Sequence, residues 1–159
     1  MQLVKNKNWD LNNDQVLIVA ASWAESIALK HRMYICQNNR HFKSSGYIAF
    51  YSDGRIEHIY EIVDAPYNNC TLENTPILRT LDQLDIPQEP RQVIYIKPFL
   101  EVDPIVNDTL DKNGKPCAFV QGHRYTTLDK IKKAKKTSEL IASPDEDVNI
   151  SSAENADAE

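Results

Sequence analysis

Short apolar runs separated by polar segments predict a chain built mainly of strands. Gln15–Ala20 carries a continuous apolar run with β-branched residues, which is typical of a buried strand. Tyr47–Ser52 and Arg55–Val63 are two further strand patterns, separated only by Asp53 and Gly54. An Asp-Gly pair is a strong hairpin signal, because both central positions of a type I′ turn need a positive φ. The sequence therefore predicts an antiparallel hairpin at this point.

Period-2 alternation assigns the side chains of this hairpin to opposite faces of a sheet. In its first strand Tyr47 and Tyr51 share one face, and Ile48 and Phe50 share the other, which is the expected core face. The tyrosine face either lines a pocket or packs in a second core. In the second strand, strict alternation predicts one common face for Ile56, His58, Tyr60 and Ile62.

Weaker patterns predict the remaining strands. Met33–Cys36 and Pro116–Val120 indicate short strands. Gln92–Val102 indicates a longer strand, in which Pro98 forces an edge position or a bulge, because proline donates no backbone hydrogen bond.

Helices flank the predicted strands. Ser22 can cap a first helix that runs to about Lys30, and Thr127 can cap a last helix that runs to about Ile141. A short helix before Pro87 is indicated by three leucines, Leu78, Leu81 and Leu84. Long hairpin-connected strands with few helices favour an α+β fold, a small and mainly antiparallel β-barrel with flanking helices, over a doubly wound parallel sheet.

Composition divides the chain into three parts. Residues 1–14 are polar and predict a loose arm, residues 15–142 carry the predicted domain, and Ser143–Glu159 predicts a disordered tail, because it has too few large apolar residues to offset its chain entropy. Six of the 23 acidic residues lie in that tail, so the rest of the chain carries 18 basic and 17 acidic residues. Five lysines crowd the predicted last helix, at Lys130, Lys132, Lys133, Lys135 and Lys136.

The chain has no apolar stretch of membrane-spanning length, and no apolar segment typical of a secretory signal follows Met1. The three cysteines are odd in number, and none forms a CxxC pair. We therefore expect a cytoplasmic protein with free thiols and no membrane association.

Motifs with self-sufficient catalytic chemistry are missing from the sequence. With four glycines in the whole chain, no phosphate-binding glycine loop is formed, and the four histidines lack ligand spacing. A metal-dependent nuclease would draw on Glu57, Glu61 and Lys97, but the two glutamates lie about 13 Å apart along a strand and cannot share one ion. The sequence predicts no catalytic residue, no metal and no cofactor, and it favours a protein that is not an enzyme.

Two segments mix basic and aromatic residues, as nucleic-acid-binding surfaces do. The first, Arg40–Tyr51, contains Arg40 and Phe42, and the second, GHRYTT at residues 122–127, contains Arg124 and Tyr125 just before the predicted last helix. Arginine neutralises phosphates, aromatic rings stack on bases, and a helix N-terminus attracts anions. We expect the Arg40–Ser45 loop and the RYTT loop to lie close together at one end of the barrel, although about 80 residues separate them. The alternative for the second segment is a capping loop with a salt-bridged Arg124 and an inward Tyr125.

The segments YIAFYSDGRIEHIYEI and GHRYTTLDKIKKAK, about 60 residues apart, resemble a family of small prokaryotic proteins that end in G-x-RYTT-L and a basic helix. That family is similar to the PUA-like superfamily, which includes the EVE and ASCH domains. The resemblance covers about Gln15 to Ile141. It implies a small β-barrel that binds RNA, or modified bases in DNA, in a cleft lined by aromatic and polar groups.

The leading hypothesis is therefore a nucleic-acid- or nucleotide-binding module, within a prokaryotic defence or modification system. The residues expected to bind the ligand are Trp23, Tyr34, Arg40, Phe42, Tyr51, Arg124 and Tyr125, and those expected to contact the nucleic-acid backbone are Lys130 and Lys133. The alternatives are a non-catalytic partner of a neighbouring enzyme, with the acidic tail masking the basic helix, and a metal-dependent nuclease.

Overall fold

A computed structural model describes residues 2–21, 23–80 and 89–141, without the side chain of Trp23. Within these ranges, the strands of one sheet are β1 (Val4–Lys5), β2 (Gln15–Ala20), β3 (Met33–Gln37), β4 (Tyr47–Ser52), β5 (Arg55–Ile62), β6 (Tyr67–Cys70), β7 (Arg91–Val106) and β8 (His123–Thr127). Their order is β1-β6-β7-β5-β4-β2-β8, and β3 pairs with β7 beside this path.

Most neighbouring strands in this sheet are antiparallel. The exception is the pair β2 and β4, which run parallel and are connected through an α-helix, α1 (Trp23–His31), and β3. This architecture confirms the predicted α+β class and the mainly antiparallel, barrel-like sheet. No helix within the described residues is long and apolar enough to cross a membrane.

Strand β7 makes the sheet curl, because its two halves pair with different strands. Its first half lies between β3 and β6, and its second half pairs with β5. The register between β5 and β7 shifts where Tyr60 lies opposite Pro98. This irregularity is the bulge that the proline predicts, and a bulge bends a strand and increases its twist.

The predicted hairpin is confirmed at its turn. Asp53 and Gly54 have φ angles of 53° and 75°, as a type I′ turn requires. The prediction of strict alternation along β5 is wrong, however. The register shifts twice against β7, so Ile56 and Ile59 face one side of the sheet while Tyr60 and Ile62 face the other.

Both faces of the central sheet are buried. One face packs under a second helix, α2 (Leu128–Lys133), and we call this cluster the α2-side core; its members include Val16, Ile18, Ala49, Tyr51, Ile56, Phe119 and Ile131. The other face packs under α1, and we call this cluster the α1-side core; its members include Leu17, Val19, Ala24, Ala28, Ile48, Phe50 and Tyr60. Burial on both faces explains why strands such as β2 are apolar along their whole length.

The last helix is shorter than its lysine-rich sequence predicts. The hydroxyl oxygen of Thr127 accepts a hydrogen bond from the Lys130 backbone N–H at 3.3 Å, which confirms the predicted cap. The helix ends because the chain turns back to the sheet, where the Val106 N–H donates a hydrogen bond to the Lys135 carbonyl at 3.0 Å. A short 3₁₀ helix, Thr137–Leu140, then adds the buried Leu140 to the α2-side core.

Several other predictions need correction. Residues 116–120 form no strand, only a bridge from Pro116 to Leu110, because Phe119 and Val120 are used as core side chains instead. Only the start of the predicted leucine helix lies within the described residues, and there the chain forms a 3₁₀ helix, Pro76–Thr80, that buries Leu78. Three residues named in these helix predictions, Ser22, Leu81 and Leu84, lie outside the described residues, as does the predicted tail from position 143.

The N-terminal arm is held against the sheet rather than loose. Strand β1 pairs with β6, and Lys5 forms a 2.7 Å ion pair with Asp64. Farther along, the Trp9 indole N–H donates to the Ser45 carbonyl at 3.1 Å. An apolar ring that finds both a packing partner and a hydrogen bond anchors the arm.

Asp108 is expected to stabilise the 3₁₀ helix that follows α2. Its carboxylate accepts hydrogen bonds from Ser138 Oγ at 2.6 Å, Ser138 N at 2.9 Å and Thr137 Oγ1 at 3.0 Å. We expect Asp108→Ala to lower the free energy of unfolding by about 1 kcal/mol, a small value because the site is exposed to solvent. Urea unfolding of this variant and of Asp103→Ala, which removes an exposed carboxylate from β7, measures the difference.

The same effect should vanish in acid. The Ser138 hydroxyl, the largest contributor, and the Ser138 N–H lower the pKa of Asp108 in the folded state. A depressed carboxyl pKa stabilises the fold above the unfolded pKa of about 3.9, and this stabilisation is lost as the pH falls through the folded value. An unchanged gap between wild type and Asp108→Ala at pH 2 and pH 7 would contradict this assignment.

Candidate functional site

From His123 onward the GHRYTT segment is a strand, β8, rather than the expected loop. Strand β8 pairs antiparallel with β2, placing Leu17 opposite Tyr125 and Ile18 opposite Arg124. Alternation then separates its side chains. Tyr125 packs on the α1-side core, whereas the Thr126 hydroxyl turns to the other face and donates to the Leu140 carbonyl at 2.6 Å.

Arg40 is the centre of a polar cluster on the α1 side. Its Nη1 donates to the Tyr34 hydroxyl at 3.0 Å, and its Nη2 lies 2.9 Å from Nδ1 of His123. The guanidinium carbon also lies 4.6 Å from the centroid of the Phe42 ring, within cation–π range. Gln92 holds the backbone of Arg40 in place, because its Nε2 donates a hydrogen bond to the Arg40 carbonyl at 3.0 Å. Together these contacts orient the guanidinium.

Aromatic rings continue the cluster toward β8. The His123 ring stands edge-on to Phe42, with centroids 4.8 Å apart, and to Tyr125, with centroids 5.6 Å apart. The Tyr125 hydroxyl oxygen accepts a hydrogen bond from the Lys43 N–H at 2.8 Å, so the loop after β3 is tied to β8. We call Tyr34, Arg40, Phe42, His123 and Tyr125 the Arg40 cluster.

A cavity of about 210 Å³ adjoins this cluster. It is bounded by the start of α1 and by β3, and its lining residues include Ala24, Tyr34, Cys36, Arg40 and Arg91. We call it the Arg40–Arg91 cavity. The Nε atoms of both arginines are buried without a hydrogen-bond partner. Because two guanidinium groups lie at this one cavity, its charge is positive and favours an anionic ligand.

The remaining polar groups of the cavity do not offset this positive charge. Burial raises the pKa of the Tyr34 hydroxyl, although the Arg40 guanidinium acts in the opposite direction. Burial likewise raises the pKa of the Cys36 thiol to about 12, against the influence of Arg40 and Arg91. Both groups therefore keep their protons at neutral pH. Cys36 is a neutral thiol rather than a nucleophilic thiolate.

The other predicted site residues lie elsewhere. Arg124 is 7% exposed, donates from Nη1 to the Phe119 carbonyl at 2.6 Å and stacks on the Phe119 ring at 4.1 Å. Burial lowers the pKa of Arg124 to about 10, so it stays charged at neutral pH. Tyr51 also belongs to the α2-side core. The expected meeting of the two segments is confirmed, but their two arginines lie on opposite faces of the sheet.

The predicted backbone-contacting lysines are on α2, which packs on the face of the sheet opposite the Arg40 cluster. Lys133 forms a 3.2 Å ion pair with Asp129, and the Lys130 backbone N–H donates a hydrogen bond to the hydroxyl of Thr127, the residue that caps the helix. Trp23 begins α1, and its side chain lies outside the described part of the structure.

Sequence reasoning missed His123 and Arg91 as members of this site. His123 alternates with Tyr125 along β8, and this signal is visible only if GHRYTT is interpreted as a strand. No local sequence pattern marks Arg91, because the pairing of the distant strands β3 and β7 is what places it opposite Gln37, next to Cys36.

The described ranges contain no group of three or more His, Cys, Asp or Glu side chains that could hold a metal ion. The three cysteines are not paired in disulfides. Compared with known proteins, the chain matches no family model, and no curated protein is significantly similar to it.

Proposed function

We propose that this chain is a nucleotide- or nucleic-acid-binding module of the PUA-like type. The observation that carries the proposal is the Arg40 guanidinium, held between the Tyr34 hydroxyl, the His123 ring and the Phe42 face at the wall of a cavity that Arg91 also lines. The barrel-like α+β fold is compatible with such a module.

The cavity supplies the phosphate subsite of this proposal. Two guanidinium groups carry several N–H donors in planar forks, which match phosphate oxygens better than point charges do. The first turn of α1 adds a partial positive charge beside Ala24, since helix N-termini attract anions. A phosphate in the cavity would therefore pair with the guanidinium groups of Arg40 and Arg91, which both line it.

The aromatic rings supply the base subsite. Phe42 and Tyr125 are half-buried, so part of each ring is accessible beside Arg40. Stacking of one base on an aromatic side chain contributes about 1–3 kcal/mol and tolerates every base. The edge of a base can also form hydrogen bonds with the planar guanidinium group of Arg40, which distinguishes this site from a simple anion site. We extend the proposal to RNA or a modified base as the ligand, bound in the cytoplasm of a prokaryote.

Calorimetric titration with nucleoside monophosphates and the corresponding nucleosides tests the proposal. We expect monophosphates to bind and nucleosides to bind at least tenfold more weakly, because they lack the phosphate. Arg91→Ala should weaken monophosphate binding about tenfold, or about 1.4 kcal/mol, without lowering the melting temperature, since the buried Nε that it removes has no hydrogen-bond partner. Arg40→Lys should weaken binding similarly, because lysine keeps the charge and loses the fork.

Arg55→Ala is the matched control. Arg55 is exposed on β5 and pairs with Glu57 at 3.1 Å, so its removal changes the net charge equally but touches neither subsite. If Arg55→Ala weakens binding as much as Arg91→Ala, the interaction is non-specific charge attraction. If wild type binds neither single-stranded RNA, single-stranded DNA nor any monophosphate, the proposal is wrong.

A further inference from the structure

The contact between His123 and Arg40 fixes the protonation state of the histidine. Nδ1 of His123 lies 2.9 Å from Nη2 of Arg40. A guanidinium group has five N–H donors and no acceptor, so the imidazole nitrogen is the acceptor in this hydrogen bond. A ring nitrogen accepts only when it carries no proton. His123 is therefore neutral in this arrangement and keeps its hydrogen on Nε2.

The imidazole is the more rigid of the two partners. His123 is completely buried, and it lies on β8, where pairing with β2 places it opposite Val19. The rings of Phe42 and Tyr125 stand edge-on to it, at centroid distances of 4.8 and 5.6 Å. Arg40, by contrast, has a long side chain with many rotamers and lies on the loop after β3. The imidazole therefore orients the guanidinium, and not the reverse.

Two acceptors fix the plane of the Arg40 guanidinium. The Tyr34 hydroxyl oxygen accepts from Nη1 at 3.0 Å, and His123 accepts from Nη2. Each Nη atom carries two hydrogens, so each has one left for a ligand at the Arg40–Arg91 cavity, which Arg40 lines. Without His123 as an acceptor, the group can turn about its one remaining bond to Tyr34. The planar fork that matches a phosphate would then lose its fixed direction.

Protonation of His123 would remove the acceptor and place a second positive charge beside Arg40. The other titratable groups of the Arg40 cluster and its cavity are cationic or neutral. Burial raises the pKa of Tyr34 and of Cys36, so both keep their protons. On α1, Glu25 interacts with His58 of β5 instead. The cations are Arg40 itself, Arg91 on the cavity wall, and Lys43, whose Nζ lies 5.5 Å from the centroid of the Tyr125 ring.

We propose that His123 is the positioning residue of Arg40, a neutral acceptor that holds the guanidinium in its ligand-binding orientation and releases it when the imidazole takes up a proton. The consequence for nucleotide affinity rests on the proposed function. The hold on Arg40 does not, because it exists in the protein without a ligand.

Nitrogen NMR of the side chains in the ligand-free protein tests the hold itself. At pH 7.5 we expect a neutral His123 ring with its proton on Nε2, and separate Nη signals for a restrained Arg40 guanidinium. On acidification, the Arg40 signals should merge with the same midpoint at which His123 gains its second proton. A charged His123 at pH 7.5, or a neutral ring with its proton on Nδ1, would overturn the proposal whether or not nucleotides bind.

The pair His123→Asn and His123→Leu separates an acceptor from a ring that only fills space. The two new side chains have nearly the same shape and both remove the ring, but only asparagine places an acceptor oxygen where Nδ1 lies. We expect separate Arg40 Nη signals in His123→Asn and merged signals in His123→Leu. Titration with uridine monophosphate should show at least fivefold weaker binding to His123→Leu than to His123→Asn.

Equal Arg40 signals and equal affinities in the two variants would overturn the positioning role, because the ring would then act only through packing. If the wild-type protein binds no nucleotide, the proposed function fails by itself. The Arg40 signals of the two variants still decide the role of His123 in that case.

Discussion

Replacing Arg124 by alanine is expected to lower the free energy of unfolding by about 2–4 kcal/mol and to leave nucleotide affinity unchanged. The sequence suggests the opposite, since Arg124 is the most obvious cation of the RYTT segment. The structure places its guanidinium on Phe119, 7% exposed, with a 2.6 Å hydrogen bond to the Phe119 carbonyl. Alanine would leave a cavity and would remove a charged hydrogen bond from the α2-side core.

Urea unfolding and monophosphate titration of the same Arg124→Ala preparation measure both effects. Arg91→Ala is the natural counterpart, for which we expect intact stability and weakened binding. If Arg124→Ala loses stability alone and Arg91→Ala loses binding alone, Arg124 is assigned to the α2-side core and Arg91 to the nucleotide site. A stable Arg124→Ala protein that no longer binds nucleotides would instead place the ligand on the α2 side of the sheet.

Gly46→Ala is expected to cost about 3 kcal/mol or more. Gly46 is buried just before β4, and a Cβ there would collide with the backbone carbonyl oxygen of Asn13 and come within 3.0 Å of that of Leu11. Backbone atoms cannot rotate away as a side chain can. The Gly46 N–H also bonds the Gln15 carbonyl at 3.1 Å, and its carbonyl accepts from the Ile62 N–H at 2.9 Å. Any shift therefore disturbs β2, β4 and β5 together.

Gly114→Ala controls for the general cost of adding a methyl group at glycine. Gly114 has a φ of +79° in an open turn, and an added Cβ would meet no atom within 4 Å, so only backbone strain of about 1 kcal/mol is expected. Chemical unfolding of both variants gives the comparison. Equal losses would show that the approach of Asn13 to Gly46 is not tight.

The sequence by itself determined the parts of this protein that depend on neighbours in the chain. The bounds of β2 and β4 match their apolar patterns, and the Asp53-Gly54 turn and the Thr127 cap are as predicted. Each follows from local chemistry: alternation, a positive φ, or a hydroxyl within reach of the next backbone N–H. Four of the seven predicted ligand-binding residues also converge on one face, namely Tyr34, Arg40, Phe42 and Tyr125.

Only the tertiary structure decided which faces are covered and which distant residues meet. Alternation along β4 separates Tyr51 from Phe50 but cannot say that α2 buries one face and α1 the other. The contact between Arg40 and His123 spans 83 positions and exists because β8 pairs with β2. That pairing also turns Arg124 into the core, since adjacent residues of a strand point to opposite faces of the sheet. The alternation of apolar and polar residues describes one strand by itself. A site also depends on which strands lie side by side, and packing across the whole domain determines that pairing.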